Sequence, residues 1–128
     1  MSLSNRPLIL LADDDLSVRE MTSLVLEDHG CEVLTAGDAD TALELVHLHP
    51  SLKLIVTDVF MPGRINGYEM ACELRKAGKQ VPIILVSGWT ELPGAVPDNA
   101  TFMTKPYTIA QFYECIDKSL GVELDKLH

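Results

Sequence analysis

The chain has 128 residues, 47% of them hydrophobic, with 19 acidic against 10 basic side chains and a formal charge of −9. One core at this length removes roughly two thirds of the unfolded surface from water, so a single domain needs no disulfide or metal staple, and a second of normal size does not fit. The acid excess, with no clustered Lys or Arg, argues against nucleic-acid backbone or anionic membrane as the main partner, but leaves divalent cations open.

Met1 to Pro7 lacks the charged and then apolar regions of a signal peptide, and no apolar run reaches the length of a membrane span. Leu8 to Ala12 is a short apolar run ending in Asp13-Asp14-Asp15, which suits a strand buried on both faces. Asp15 caps a helix in which Val18, Met21, Val25 and Leu24 repeat at helical spacing, until His29-Gly30 stops it. Cys31 to Ala36 reads as a second strand. Asp38 caps the next helix, with Ala39, Ala42, Leu43 and Val46 on one stripe and Pro50 forbidding continuation.

Leu52 to Thr57 forms the third strand and ends at Asp58. Met61-Pro62-Gly63 and Asn66-Gly67 mark a loop, and Tyr68 to Lys76 a short helix ended by Gly78. The fourth strand, Pro82 to Val86, closes on Ser87-Gly88. Pro93, Gly94 and Pro97 put too many breakers between Trp89 and Asn99 for an ordinary helix. Thr101 to Thr104 is a short fifth strand followed by Lys105-Pro106, and Thr108 caps a last helix with Ile109, Phe112, Ile116 and Leu120 on its buried stripe.

Cys31, Cys72 and Cys115 are odd in number and lack C-x-x-C spacing, so they read as reduced, mostly buried thiols of a cytoplasmic protein. His29, His47, His49 and His128 fall at helix or chain ends without metal-ligand spacing and read as surface residues.

Strands alternating with helices imply an α/β fold with a five-stranded parallel sheet covered on both faces, and ligands of such sheets bind beyond the carboxyl ends of the strands. Four strand ends carry polar or charged residues that meet on this edge: Asp13-Asp14, Asp58, Ser87 and Lys105. Three clustered carboxylates need a proton, a cation or an ammonium. Their hard oxygens suit magnesium, Lys105 brings a fixed positive charge and Ser87 a hydroxyl. These are the parts for moving a phosphoryl group onto a carboxylate. The glycine loops that cradle nucleotide phosphates are missing after the first strand, where aspartates would repel a bare phosphate.

With these residues in order, the sequence resembles a two-component response-regulator receiver domain over essentially its whole length. The motifs are Asp13-Asp14, Asp58 with Met61-Pro62 and Asn66-Gly67, Ser87-Gly88, and Lys105-Pro106. The resemblance implies a flavodoxin-like doubly wound sheet in the order 2-1-3-4-5, a receiver over residues 7–121 and tails at 1–6 and 122–128. It further implies that Asp58 accepts a phosphoryl group from a phosphohistidine of a histidine kinase or phosphotransfer protein. Asp13, Asp14, Asp58 and the backbone carbonyl of Phe60 would hold Mg2+ or Mn2+, and Ser87 and Lys105 would contact the phosphoryl group. Phe102 matches the family's switch aromatic, which acts together with Ser87, although an aromatic in a short strand is by default core. A downstream effector protein is implied, a homodimer is allowed, and neither nucleic acid nor membrane is a direct partner.

Two features depart from the common pattern. Three residues rather than two separate Pro62 from Asn66, which resembles receivers attached to hybrid histidine kinases. The interval from Ser87 to Lys105 is short and broken by prolines, so the fourth helix is expected to be short, irregular or mobile, and Ser87-Gly88-Trp89 resembles an atypical alphaproteobacterial subgroup. Trp89 beside the site reads as a lid, a partner contact or loop packing. Two other readings compete with the phosphoacceptor. One is a phosphatase resembling the haloacid-dehalogenase type, with Asp13 as nucleophile and Asp15 as general acid. The other is a degenerate receiver that serves as a scaffold.

Overall fold

A computed structural model of the chain describes residues 6–89 and 91–121. In chain order the elements are β1 (Leu8–Ala12), α1 (Leu16–Asp28), β2 (Glu32–Ala36), α2 (Ala39–Leu48), β3 (Leu54–Asp58), α3 (Gly67–Lys76), β4 (Ile83–Ser87), β5 (Ala100–Thr104) and α4 (Ile109–Ser119). The five strands pair in parallel in the order β2-β1-β3-β4-β5, as expected. The apolar runs of β1, β3 and β4 become inner strands buried on both faces, while β2 and β5 form the edges.

Helix starts follow the capping residues. Side chains of Asp15, Asp38, Asn66 and Thr108 accept the backbone N–H groups of Val18, Thr41, Glu69 and Gln111, satisfying donors that no helix bond can reach. Asn66 and Thr108 do so within reciprocal capping boxes. Gly30 and Gly78, just beyond α1 and α3, take positive φ angles of 92° and 80°, which an L side chain resists.

Strand alternation divides the core in two. Leu10, Ala12, Ile55, Ile83 and Leu85 face α2 and α3, and Ala100 and Phe102 pack at the margin of the same cluster. Ile9, Leu11, Leu54, Val56, Ile84 and Val86 face Leu26 of α1 and Phe112 and Ile116 of α4. This period of two also assigns the strand ends: Asp58 and Lys105 continue the α1/α4 side, and Ser87 continues the α2/α3 side.

Three expectations need correction. In α1 the buried residue is Leu26, with Val25 packed beside it, whereas Val18, Met21 and Leu24 are exposed. This helix carries apolar residues around most of its circumference, so spacing alone does not identify its inner side. In α4, Phe112 and Ile116 are buried and Leu120 packs against them, but Ile109 is exposed in the first turn. His29 is a half-buried tie rather than a free surface residue: Nε2 lies 2.8 Å from Asp117 Oδ1 and the ring stacks on Tyr113 at 3.8 Å. Ahead of β1, Arg6 donates to the carbonyls of Gly30 and Glu27. The other tail residues, with His128, lie outside the described residues.

The interval between β4 and β5 has no helix among its described residues. It forms a strap tied along α3. The Tyr68 hydroxyl donates to Ala95 O at 2.8 Å and lies against Gly94, where a β-carbon would have to push it aside. Lower down, Arg75 donates from Nε to Asp98 O at 2.6 Å, from Nη2 to Val81 O and Asn99 O, and from Nη1 to Lys79 O. Backbone groups that a helix would pair internally are thus partly satisfied from outside. Among the described residues, no helix is long and apolar enough to cross a membrane.

Candidate phosphoacceptor site

The ends of β1 and β3 bring the three aspartates together. Asp13 is 5% exposed; its N–H donates to Ala36 O at 3.0 Å, and its Oδ1 accepts the Asp15 N–H at 2.9 Å. Asp14 is exposed, and Asp58 is the last residue of β3. Carboxylate oxygens of Asp13, Asp14 and Asp58 lie within 4.8 Å of one another. Lys105, just past β5, reaches Asp58 Oδ1 with Nζ at 3.1 Å, and its N–H donates to Ser87 O at 2.8 Å. The Lys105–Pro106 peptide is cis.

Electrostatics and burial oppose each other here. Burial pushes the Asp58 carboxyl up to about 6 with help from the Asp13 charge, and the Lys105 ion pair offsets only part of that. For Lys105, burial disfavours the ammonium, but the hydrogen bond and charge of Asp58, with Asp13, outweigh it and raise its pKa above the ordinary value. The site is therefore short of positive charge. Its hard oxygen donors and excess negative charge fit Mg2+ or Mn2+, which prefer carboxylates over softer ligands.

Several supporting residues were not singled out from sequence. Arg19 Nη1 donates to Asp13 O at 2.8 Å, bracing the β1–α1 turn, and packs against Gly37. Thr57, fully buried, donates its hydroxyl to Asp58 O at 2.9 Å. Arg64 donates from Nε and Nη2 to Asp40 Oδ1 and lies 3.8 Å from Glu73, tying the loop after β3 to α2 and α3. Arg64 belongs to the lengthened Pro62–Asn66 interval, the one feature of this group visible in the sequence.

Ser87 is buried, and its Oγ accepts the Trp89 N–H at 2.9 Å. Phe102 is half-buried with its ring against the α2/α3 core. Trp89 is 70% exposed and does not pack into the loop; with Phe60, 48% exposed, and Leu92 and Pro93 it lines an open cleft of about 470 Å3. Asp15 is engaged as the α1 cap, the role expected of it.

Comparison with known proteins agrees with this geometry. The family model of the response regulator receiver domain matches residues 9–117. The probable transcriptional regulator ycf27 of Galdieria sulphuraria is 37% identical over 116 residues, covering 84% of this chain and 42% of the relative. Protein PilG of Pseudomonas aeruginosa is 31% identical over 108 residues, covering 78% of this chain and 77% of that protein. Among solved structures, the receiver domain of the hybrid histidine kinase CckA superposes with a TM-score of 0.76 at 29% identity, over 88% of this chain and 98% of that one. The chain belongs to the response-regulator receiver family, the signalling domain of two-component systems. It spans less than half the length of the transcriptional regulators it matches, and more than three quarters of PilG.

Proposed function

We propose that this chain is an active receiver whose Asp58 takes a phosphoryl group from a phosphohistidine on a histidine kinase or phosphotransfer protein, within the cytoplasm. The observation that carries the reading is the convergence of Asp13, Asp14, Asp58 and Lys105 on one strand-end edge, with carboxylate oxygens within 4.8 Å and the ammonium 3.1 Å from Asp58. In the transfer, an Asp58 oxygen attacks phosphorus as the phosphorus–nitrogen bond breaks and the donor imidazole leaves with that electron pair. Lys105 then exchanges its contact with the carboxylate for one with a phosphoryl oxygen, and the buried Ser87 hydroxyl is free to donate to another. Asp13 and Asp14, with Asp58 and the Phe60 carbonyl, would hold magnesium or manganese. That ion supplies charge neutralisation between the carboxylate and the incoming phosphoryl group.

The outer face of α1 supports a helical protein donor. Leu16, Met21 and Leu24 are exposed directly after Asp13-Asp14-Asp15, an apolar surface that a soluble helix normally covers. On the far side of the sheet, Ser87 and Phe102 form the switch pair toward the strap, where a downstream effector would read the state. The domain that does this extends over residues 7–121.

Mass spectrometry tests the proposal. Acetyl phosphate with magnesium is expected to add one phosphoryl group to the wild type and none to Asp58→Asn. Labelling at Asp13 sinks it, and failure to bind millimolar magnesium favours the scaffold instead.

A further inference from the structure

We propose that Arg19 is a positioning residue for the metal site, which sets how tightly Asp13 and Asp14 hold a divalent cation by locking the peptide unit between them. The inference rests on the phosphoacceptor reading, which makes both aspartates ligands, and adds a residue that does not itself touch the ion. Arg19 lies in the first turn of α1, half-buried, and its side chain reaches back so that Nη1 donates to Asp13 O at 2.8 Å. That carbonyl and the Asp14 N–H belong to one planar peptide unit, so any rotation of the unit swings both carboxylates. The rest of Asp13 is already fixed: its N–H donates to Ala36 O at 3.0 Å and its carboxylate accepts the Asp15 N–H at 2.9 Å. The exposed Asp14 depends on the peptide unit before it for its place.

Charge and position make opposite demands on this arginine. A fixed guanidinium beside a carboxylate cluster repels a dication, so if Arg19 acted through its charge, removing it would tighten metal binding. A brace acts the other way. Once it is gone, ligands that are free to turn must be ordered again when the cation binds, and affinity falls. The surroundings favour the brace. Nη1 lies against Gly37, just past β2, where an added β-carbon would stand 3.0 Å from it. The guanidinium is therefore wedged between the ends of β1 and β2, with little freedom to leave the Asp13 carbonyl. The side chain also lines a groove with Leu16, Leu24 and Thr35, so apolar contacts along its stem help to keep it in this pose.

Titration of the metal-free protein with Mn2+ tests this, read by the electron paramagnetic resonance signal that the free ion gives and the bound ion loses. Arg19→Met keeps the apolar stem and deletes the donor, and is expected to weaken Mn2+ binding about tenfold, the scale found for groups that orient metal ligands. Gly37→Ala keeps the charge but crowds Nη1, and is expected to weaken binding by a smaller factor. Denaturant unfolding with chelator present defines, for each variant, conditions in which the protein is folded, and affinities are compared there. A role in folding alone would lower stability and leave the affinity of the folded protein unchanged. Gly37→Ala serves even where Arg19→Met does not fold. Unchanged or tighter binding in either variant overturns the proposal. Failure of the wild type to bind Mn2+, or binding that Asp13→Asn leaves unaffected, overturns the underlying metal reading instead.

Discussion

The α-carbon of Gly67 rests so close to the carbonyl oxygen of Asp58 that a β-carbon would collide with it and crowd the Thr57 hydroxyl. The Gly67 N–H also donates to Val59 O at 2.8 Å, so the start of α3 is fastened to the end of β3 just where the phosphoacceptor projects. Gly67→Ala is expected to cost about 3 kcal/mol, because backbone rather than a flexible side chain must yield. Denaturant unfolding should show the loss, together with weaker magnesium binding. An alanine variant with wild-type stability would mean that the approach is looser than described.

The raised carboxyl of Asp58 gives a pH dependence with a definite sign. Its pKa climbs from an ordinary 3.8 to about 6, so the fold binds this proton more tightly than the unfolded chain does. The ionised group therefore costs stability above about pH 6, and that cost vanishes below about pH 4. In metal-free protein, Asp58→Asn is expected to be more stable at pH 7.5 by at most about 3 kcal/mol, with the advantage shrinking as pH falls through that window. A gap that widens on acidification would contradict this account.

Magnesium should offset most of that cost in the wild type. At about 100 times its dissociation constant, a ligand bound only to the folded state adds about 2.7 kcal/mol. Wild type should gain thermal stability of this order on metal addition, whereas Asp13→Asn should gain little. Asparagine retains an oxygen to accept the Asp15 N–H, so the variant isolates the lost charge from loss of the turn. Equal metal responses in the two proteins would remove Asp13 from the ligand set.

Arg75 holds the strap by donating to the carbonyls of Asp98 and Asn99, and ties it to the turn before β4 by donating to those of Lys79 and Val81. Arg75→Ala is expected to cost about 2–3 kcal/mol, and Arg75→Lys should recover only a fraction, since a compact ammonium cannot span the same fork. Hydrogen exchange should become faster near Asn99 and Ala100 in both variants. Unchanged protection would assign the anchoring to Tyr68 alone.

Much of this was legible in the sequence because the signals are local. Buried strands announce themselves as short apolar runs, and Asp15, Asp38 and Thr108 cap the helices they precede. The chemical residues stand at strand ends, where the parallel topology must gather them. What escaped depends on distance or rotation. His29 meets Asp117 from 88 positions away, a separation that leaves no local trace. The inner side of α1 was hidden because apolar residues surround most of the helix. Prolines after Trp89 foretold an irregular segment, but not that Tyr68 and Arg75 would bind it in place of helical hydrogen bonds.

The alternation of side chains along the strands makes the sheet a bulkhead. Asp58 and Lys105 continue the side that packs on α1 and α4, whereas Ser87 and Phe102 continue the side that packs on α2 and α3. A donor seated on the bare face of α1 and a listener seated by the strap would then stand on opposite sides and need not compete for room. Their defects should separate as well. Met21→Glu should block protein donors yet leave labelling by acetyl phosphate intact, while damage to the strap should leave Asp58 fully labelled and unheard.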